Sequence, residues 1–84
     1  LRKAMWHVYI IQSTNTRKYY IGCSNNLERR LSEHNRGYSL ATTKDRPWVV
    51  VHFEKFNNQT EAYSREKEIK SYKGGNAFKK LLNI

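Results

Sequence analysis

Two runs rich in aromatic and β-branched residues, Trp6 to Gln12 (W-H-V-Y-I-I-Q) and Lys18 to Cys23 (K-Y-Y-I-G-C), are separated only by the polar cluster Ser13 to Arg17 (S-T-N-T-R). Runs of this composition read as strands, and strands joined by so short a polar loop pair as a hairpin. Gly22, near the end of the second run, marks a place where another backbone comes close. An isolated hairpin is marginal in water, so the remaining chain must cover it.

The cover is visible downstream. Ser24-Asn25-Asn26 offers N-cap oxygens to a helix from about Leu27 to Asn35, which Gly37 is placed to end. Leu27, Leu31 and His34 recur at helical spacing and form its inward stripe. Arg36 to Arg46 is polar and irregular, hence a loop. Pro47 introduces a third strand, Trp48 to Phe53 (W-V-V-V-H-F), whose consecutive valines predict burial on both faces. Asn57 to Thr60 reads as a turn with Thr60 as N-cap. A helix follows from Glu61 to about Tyr72, with Ala62, Ile69 and Tyr63 facing in. Gly74-Gly75 stops it, and Ala77 to Leu82 forms a short last helix. The order is β-β-α-β-α-α: an α/β fold of the α+β type, with a three-stranded antiparallel sheet flanked by two to three helices.

At 84 residues there is one domain, taken as residues 6–84, and residues 1–5 are expected to be a disordered or added N-terminus outside it. So short a chain has a small core, and an open cleft is expected rather than an enclosed pocket. Sixteen Lys and Arg against seven Asp and Glu give a formal charge of +9. That excess favours a polyanionic partner, with a membrane surface or an acidic protein as the competing readings. The basic residues are spread along the chain instead of gathering on one amphipathic helix, and no stretch approaches the roughly 18 apolar residues of a membrane span. Nucleic acid is therefore the expected partner, with no membrane. A lone cysteine, Cys23, and the lack of an apolar leader core point to a reducing cytoplasm.

Some side chains stand where core residues are expected. Arg30 and His34 lie within about 60° and 20° of Leu27 on the first helix, on the edge of its apolar stripe, whereas Arg29 points to solvent. Taken singly, Arg30 is more simply a snorkelling side chain and His34 a helix-end residue. Glu66 lies within about 60° of both Ala62 and Ile69 on the second helix. Its plain reading is an exposed pair with Lys70; its functional reading is a carboxylate that needs a cation or several donors. Tyr9 and Tyr20, in the hairpin strands, are individually read as structural. Together these groups could converge on one positively charged patch. Other chemistries lack support: His7, His34 and His52 have no metal-ligand spacing, the glycines form no phosphate-cradling loop, and Cys23 has no local Cys-His signature.

The same residues carry a resemblance. His7-Val8-Tyr9 followed, after ten intervening residues, by Tyr20-Ile21-Gly22 resembles the two halves of the GIY-YIG signature, the first half degenerate and the second intact. Asn26-Leu27-Glu28-Arg29-Arg30 with His34 is similar to that superfamily's N-L-x-x-R-x-x-x-H helix. Ala62 to Lys70 (A-Y-S-R-E-K-E-I-K) is similar to its A-x-x-R-E-x-x-I-K helix. The likeness runs from about Trp6 to Leu82 and is greatest to small stand-alone bacterial members related to the nuclease domain of the excision-repair incision subunit. It implies a metal-dependent endonuclease acting on DNA, on structured or damaged sites, with one Mg²⁺ or Mn²⁺ held by Glu66. It implies Arg30 on a phosphate oxygen, and Tyr9 as the group that orients and deprotonates water, assisted by Tyr20 and His34. Lys18, Arg29, Arg30, Arg65 and Lys70 are expected to contact nucleic acid. The alternative is a nucleic-acid-binding domain of this fold with little or no catalysis. A monomer is the expected state. The chain departs from the pattern at His7, which replaces glycine, at Cys23, where some relatives carry lysine, and in lacking a clear counterpart of a later asparagine.

Overall fold

A computed structural model describes residues 5–84; the N-terminal expectation therefore falls outside the described residues except at Met5, which is half-buried directly before the first strand. Strands β1 (Trp6–Ser13), β2 (Tyr19–Ser24) and β3 (Trp48–Phe56) form one antiparallel sheet in the order β2-β1-β3. Helices α1 (Leu27–Arg36), α2 (Gln59–Ser71) and α3 (Asn76–Leu81) complete the order β-β-α-β-α-α, with a single 3₁₀ turn at Thr43–Asp45 in the loop before β3.

Because β1 is the middle strand, it is buried on both faces. Val8 and Ile10 meet Ala62, Ile69 and Phe78 of α2 and α3, while Tyr9 and Ile11 meet Trp48 and the half-buried Leu27 and Leu31 of α1. The sheet thus separates two small clusters, with α1 on one side and α2 and α3 on the other. All four β1 residues are at most 1% exposed, so burying them supplies a large part of the stabilisation.

The valine run of β3 does not behave as expected. Val49 and Val51 are 46% and 40% exposed, because β3 is an edge strand and only alternate residues reach the core. The two-sided burial belongs to β1. The N-cap of α2 is Asn58, whose side chain accepts from the Glu61 N–H at 2.9 Å, not Thr60, which lies inside the helix. Tyr63 is half exposed rather than inward-facing, its ring edge-on to Trp6.

Helix α1 is fixed at both ends. Asn26 caps it by accepting from the Arg29 N–H at 3.0 Å, and Gly37 ends it in the left-handed conformation at φ 83°. Asn35 then ties the helix end to β3, donating to the Trp48 carbonyl at 3.0 Å and accepting from its N–H. The angle of α1 over the sheet, and so the placement of Arg30 and His34, follows from these anchors.

Candidate active site

Tyr9 and Gly22 are directly paired across β1 and β2. Partners in an antiparallel pair project to the same face, so a side chain at residue 22 would stand beside the Tyr9 ring. A Cβ built on Gly22 collides with the Tyr9 hydroxyl and the ring carbon that bears it. The glycine is there for this phenol, a side chain rather than the neighbouring backbone that the sequence suggested. Its missing side chain also leaves a notch in the sheet margin.

A cleft lies at the margin of the sheet, beside edge strand β2. Tyr9, Tyr20 and Arg30 come from the α1 side, Cys23, Tyr63 and Glu66 from the α2 side, and together with Gly22 they line one open cleft of about 340 Å³. The structure therefore brings Tyr9, Tyr20, Arg30 and Glu66 to one place. The Glu66 side chain is only 17% exposed and forms an ion pair with Lys70 at 2.9 Å. The pair with Lys70 that its plain reading expected is present, but with the carboxylate mostly buried rather than exposed, and Glu66 lines the same cleft as the two phenols. Arg30 donates to Glu33 at 2.9 Å and keeps about a third of its side chain exposed toward the cleft.

His34 does not reach the cleft directly. It is completely buried, with ring edges against Tyr20 and Tyr9 at centroid separations of 5.0 and 6.0 Å. Its Nε2 lies 3.0 Å from the Tyr9 hydroxyl and its Nδ1 2.8 Å from Thr42 Oγ1. Thr42 is also fully buried and directs its own hydroxyl to the Ser39 carbonyl at 3.4 Å. The one arrangement that satisfies these donors has Nδ1–H donating to Thr42, leaving Nε2 to accept the Tyr9 proton. The Trp48 indole N–H donates to the Thr42 carbonyl at 2.9 Å and holds that loop in place.

Burial pushes the Tyr9 phenol up to about 12, against a downward pull from the Arg30 charge. Burial also brings His34 down to about 4, reinforced by Arg30. The resting pair is neutral phenol to neutral imidazole. Burial and the nearby Glu66 charge raise the Cys23 thiol to about 11, so it is no thiolate nucleophile at neutral pH.

The remaining expected contacts divide. Lys18 and Arg29 are mostly exposed, with loose pairs to Asp45 at 3.9 Å and Glu33 at 3.8 Å. Lys70 sits at the rim through Glu66. Arg65 is committed elsewhere: it binds both oxygens of Glu54, at 2.8 and 3.1 Å, and Glu68 at 2.7 Å. Thr42 and Asn35 were not found from the sequence, since a loop threonine and a helix-end asparagine carry no periodic signal. Among the described residues there is no group of three or more His, Cys, Asp or Glu that could hold a metal, and no helix is long and apolar enough to cross a membrane. A single carboxylate in an open cleft does fit a hard divalent ion that keeps most of its waters, provided Lys70 gives way.

The GIY-YIG catalytic domain profile matches residues 5–79, nearly the whole chain. The chain belongs to the GIY-YIG family. This is a nuclease family whose members generally use divalent metal ions and bind nucleic acid. Similar proteins include a UPF0213 protein of Haloquadratum walsbyi, 43% identical over 67 residues that make up 79% of this chain and 74% of the relative. Another is a UPF0213 protein of Listeria welshimeri, 38% identical over 83% of this chain and 79% of the relative. Among solved structures, a UPF0213 protein from Bacillus halodurans is similar at 27% identity and a TM-score of 0.48, covering 87% of this chain and 89% of the other.

Proposed function

We propose that this GIY-YIG protein is a divalent-metal-dependent endonuclease that hydrolyses DNA phosphodiester bonds. The observation that supports this is the meeting of Glu66 with Tyr9, Tyr20 and Arg30 in one open cleft beside Gly22. A domain that only bound DNA gains nothing from a mostly buried carboxylate facing its phosphate site.

Glu66 would hold the ion, Mg²⁺ or Mn²⁺. When bound, the ion supplies charge neutralisation on the scissile phosphate and on the leaving 3′ oxygen. Arg30 grips a non-bridging phosphate oxygen and stabilises the charge that grows there as the nucleophile adds. Because the Tyr9 hydroxyl proton is directed to His34, the phenol lone pairs are free to accept from a water in the cleft. As that water attacks phosphorus, its proton passes to Tyr9 Oη while the original Tyr9 proton passes to His34 Nε2. Tyr9 stays neutral throughout. With the phenol raised to about 12 and the imidazole lowered to about 4, moving the proton alone in the resting site is uphill. The transfer therefore accompanies bond formation to phosphorus and does not precede it. Lys18, Arg29 and Lys70 serve the flanking phosphates; these contacts carry no base information and weaken with salt.

One observation favours the second reading, DNA binding without cleavage: the Lys70 ammonium already occupies the Glu66 carboxylate at 2.9 Å. Labelled single-stranded, duplex and branched DNA incubated with Mg²⁺, Mn²⁺ or EDTA separates the two. The nuclease reading expects metal-dependent nicks or breaks in at least one substrate and their loss in Tyr9→Phe. Binding without cleavage across the panel supports the second reading.

A further inference from the structure

The sheet face that carries Tyr9 extends beyond the candidate active site. Phe53 on β3 is the register partner of Tyr9, and His7 lies two residues back along β1 on the same face, about 7 Å away. His7 and Phe53 line a second cleft of about 380 Å³, bordered on its other side by Asn25 and Asn26 and the first two residues of α1, Leu27 and Glu28. The same helix carries Arg30, one turn further on, so one rigid element serves both clefts.

The lining of this cleft has a particular chemistry. Phe53 is 51% exposed, unusual for an aromatic ring beside a core strand, and its ring is tilted 52° to that of His7 at 6.0 Å. Among the described residues, the His7 ring nitrogen Nδ1 is buried with no hydrogen-bond partner. Burial and the Lys55 charge lower the ring's pKa below its ordinary value, so at neutral pH it is the uncharged imidazole. Glu28 also lines the cleft, and its negative charge there disfavours a phosphate and suits an exocyclic amino group. Lys55 on the same wall supplies positive charge for a backbone passing outside. His7 is also one of the positions at which the chain departs from the GIY-YIG pattern.

We propose that this cleft is a nucleobase subsite, in which one unstacked base of the bound strand stacks on Phe53 with its polar edge toward His7 and Glu28. Base stacking on an exposed aromatic is sequence-tolerant, while the mixed donors and acceptors of the wall give a modest preference for amino-bearing bases. The inference rests on the nuclease reading only for the position of the strand, so it is tested without cleavage.

The experiment is fluorescence anisotropy in EDTA with a single-stranded oligonucleotide, a strand of the same length built of abasic sites, and the duplex of the same sequence. Wild type is compared with Phe53→Ala and with Phe53→Leu, which keeps apolar bulk but loses the ring face. Both variants should bind the normal strand about tenfold or more weakly and the abasic strand unchanged. A loss confined to the single strand identifies an unpaired substrate. A loss on the duplex as well identifies a base drawn out of the helix. Equal losses on normal and abasic strands, or no loss on either, overturn the subsite. Failure to find cleavage under any metal leaves these binding ratios intact and bears only on the nuclease reading.

Discussion

The Tyr9 phenol occupies the space that any side chain at Gly22 would fill. The two residues are one device: the glycine removes its own Cβ so that its cross-strand partner can lie over it and reach the cleft. Gly22→Ala should therefore displace the phenol while leaving the sheet paired. The expected destabilisation is about 1–3 kcal/mol, as for overpacking. Single-turnover cleavage should fall roughly 10²-fold, as for a reacting group misplaced by about 1 Å. Unchanged cleavage would show that the phenol need not lie in the notch.

Thr42 governs His34 from the side away from the cleft. Replacing it by valine keeps the shape but leaves the His34 Nδ1–H without an acceptor in a fully buried setting. The expected loss of stability is about 1–3 kcal/mol. The imidazole should also turn to the other tautomer, with Nε2 protonated and unable to accept from Tyr9. Imidazole ¹⁵N shifts report that change directly, and Thr42→Ser should restore both the tautomer and the cleavage rate. A variant that loses stability but keeps the original tautomer would make Thr42 purely a packing residue.

His34 predicts a specific acid sensitivity. Its pKa is near 4 in the folded protein and about 6.5 in the unfolded chain, so the unfolded state binds the extra proton first as pH falls. Stability is intact above about pH 6.5 and is lost progressively down to about pH 4, by about 3 kcal/mol in all. Arg30 and Glu33 on α1, Tyr9 and Tyr20 on the sheet and Thr42 in the loop are the groups that face the ring. Glu54, lowered chiefly by its hydrogen bonds with Arg65, loses stability only at more acid pH. His7 is lowered too, but is much less buried. Denaturant midpoints measured from pH 8 to 4 should slope downward in wild type and be markedly flatter in His34→Gln. Parallel slopes would place the effect elsewhere.

Much of this site was legible because its residues break a periodic rule. Arg30, His34 and Glu66 stand out on helical wheels whose apolar stripes are otherwise clear, and the paired signature halves locate Tyr9, Tyr20 and Gly22. Thr42 was invisible, since its part depends on a loop folding back onto a buried ring, and no local pattern encodes that. The valines of β3 misled because a run of β-branched residues does not reveal whether its strand is central or at an edge. Residues 57 to 60 contain several side chains able to cap a helix, and the chain uses Asn58 where the sequence reading took Thr60. Arg65 was expected to contact nucleic acid; only the tertiary structure shows its guanidinium held by Glu54 and Glu68.

The account depends on the carboxylate at residue 66 acting beside Tyr9 and Arg30 once Lys70 has been displaced. Its most direct test is the rate of DNA cleavage against Mn²⁺ concentration, for wild type and Glu66→Gln, with thermal melting as the control for folding. We expect saturable activation in wild type and a loss of at least about 10³-fold in the variant, in the range of removing a principal charge-stabilising group, with little change in melting temperature. A folded Glu66→Gln protein that cuts DNA at the wild-type rate would contradict it.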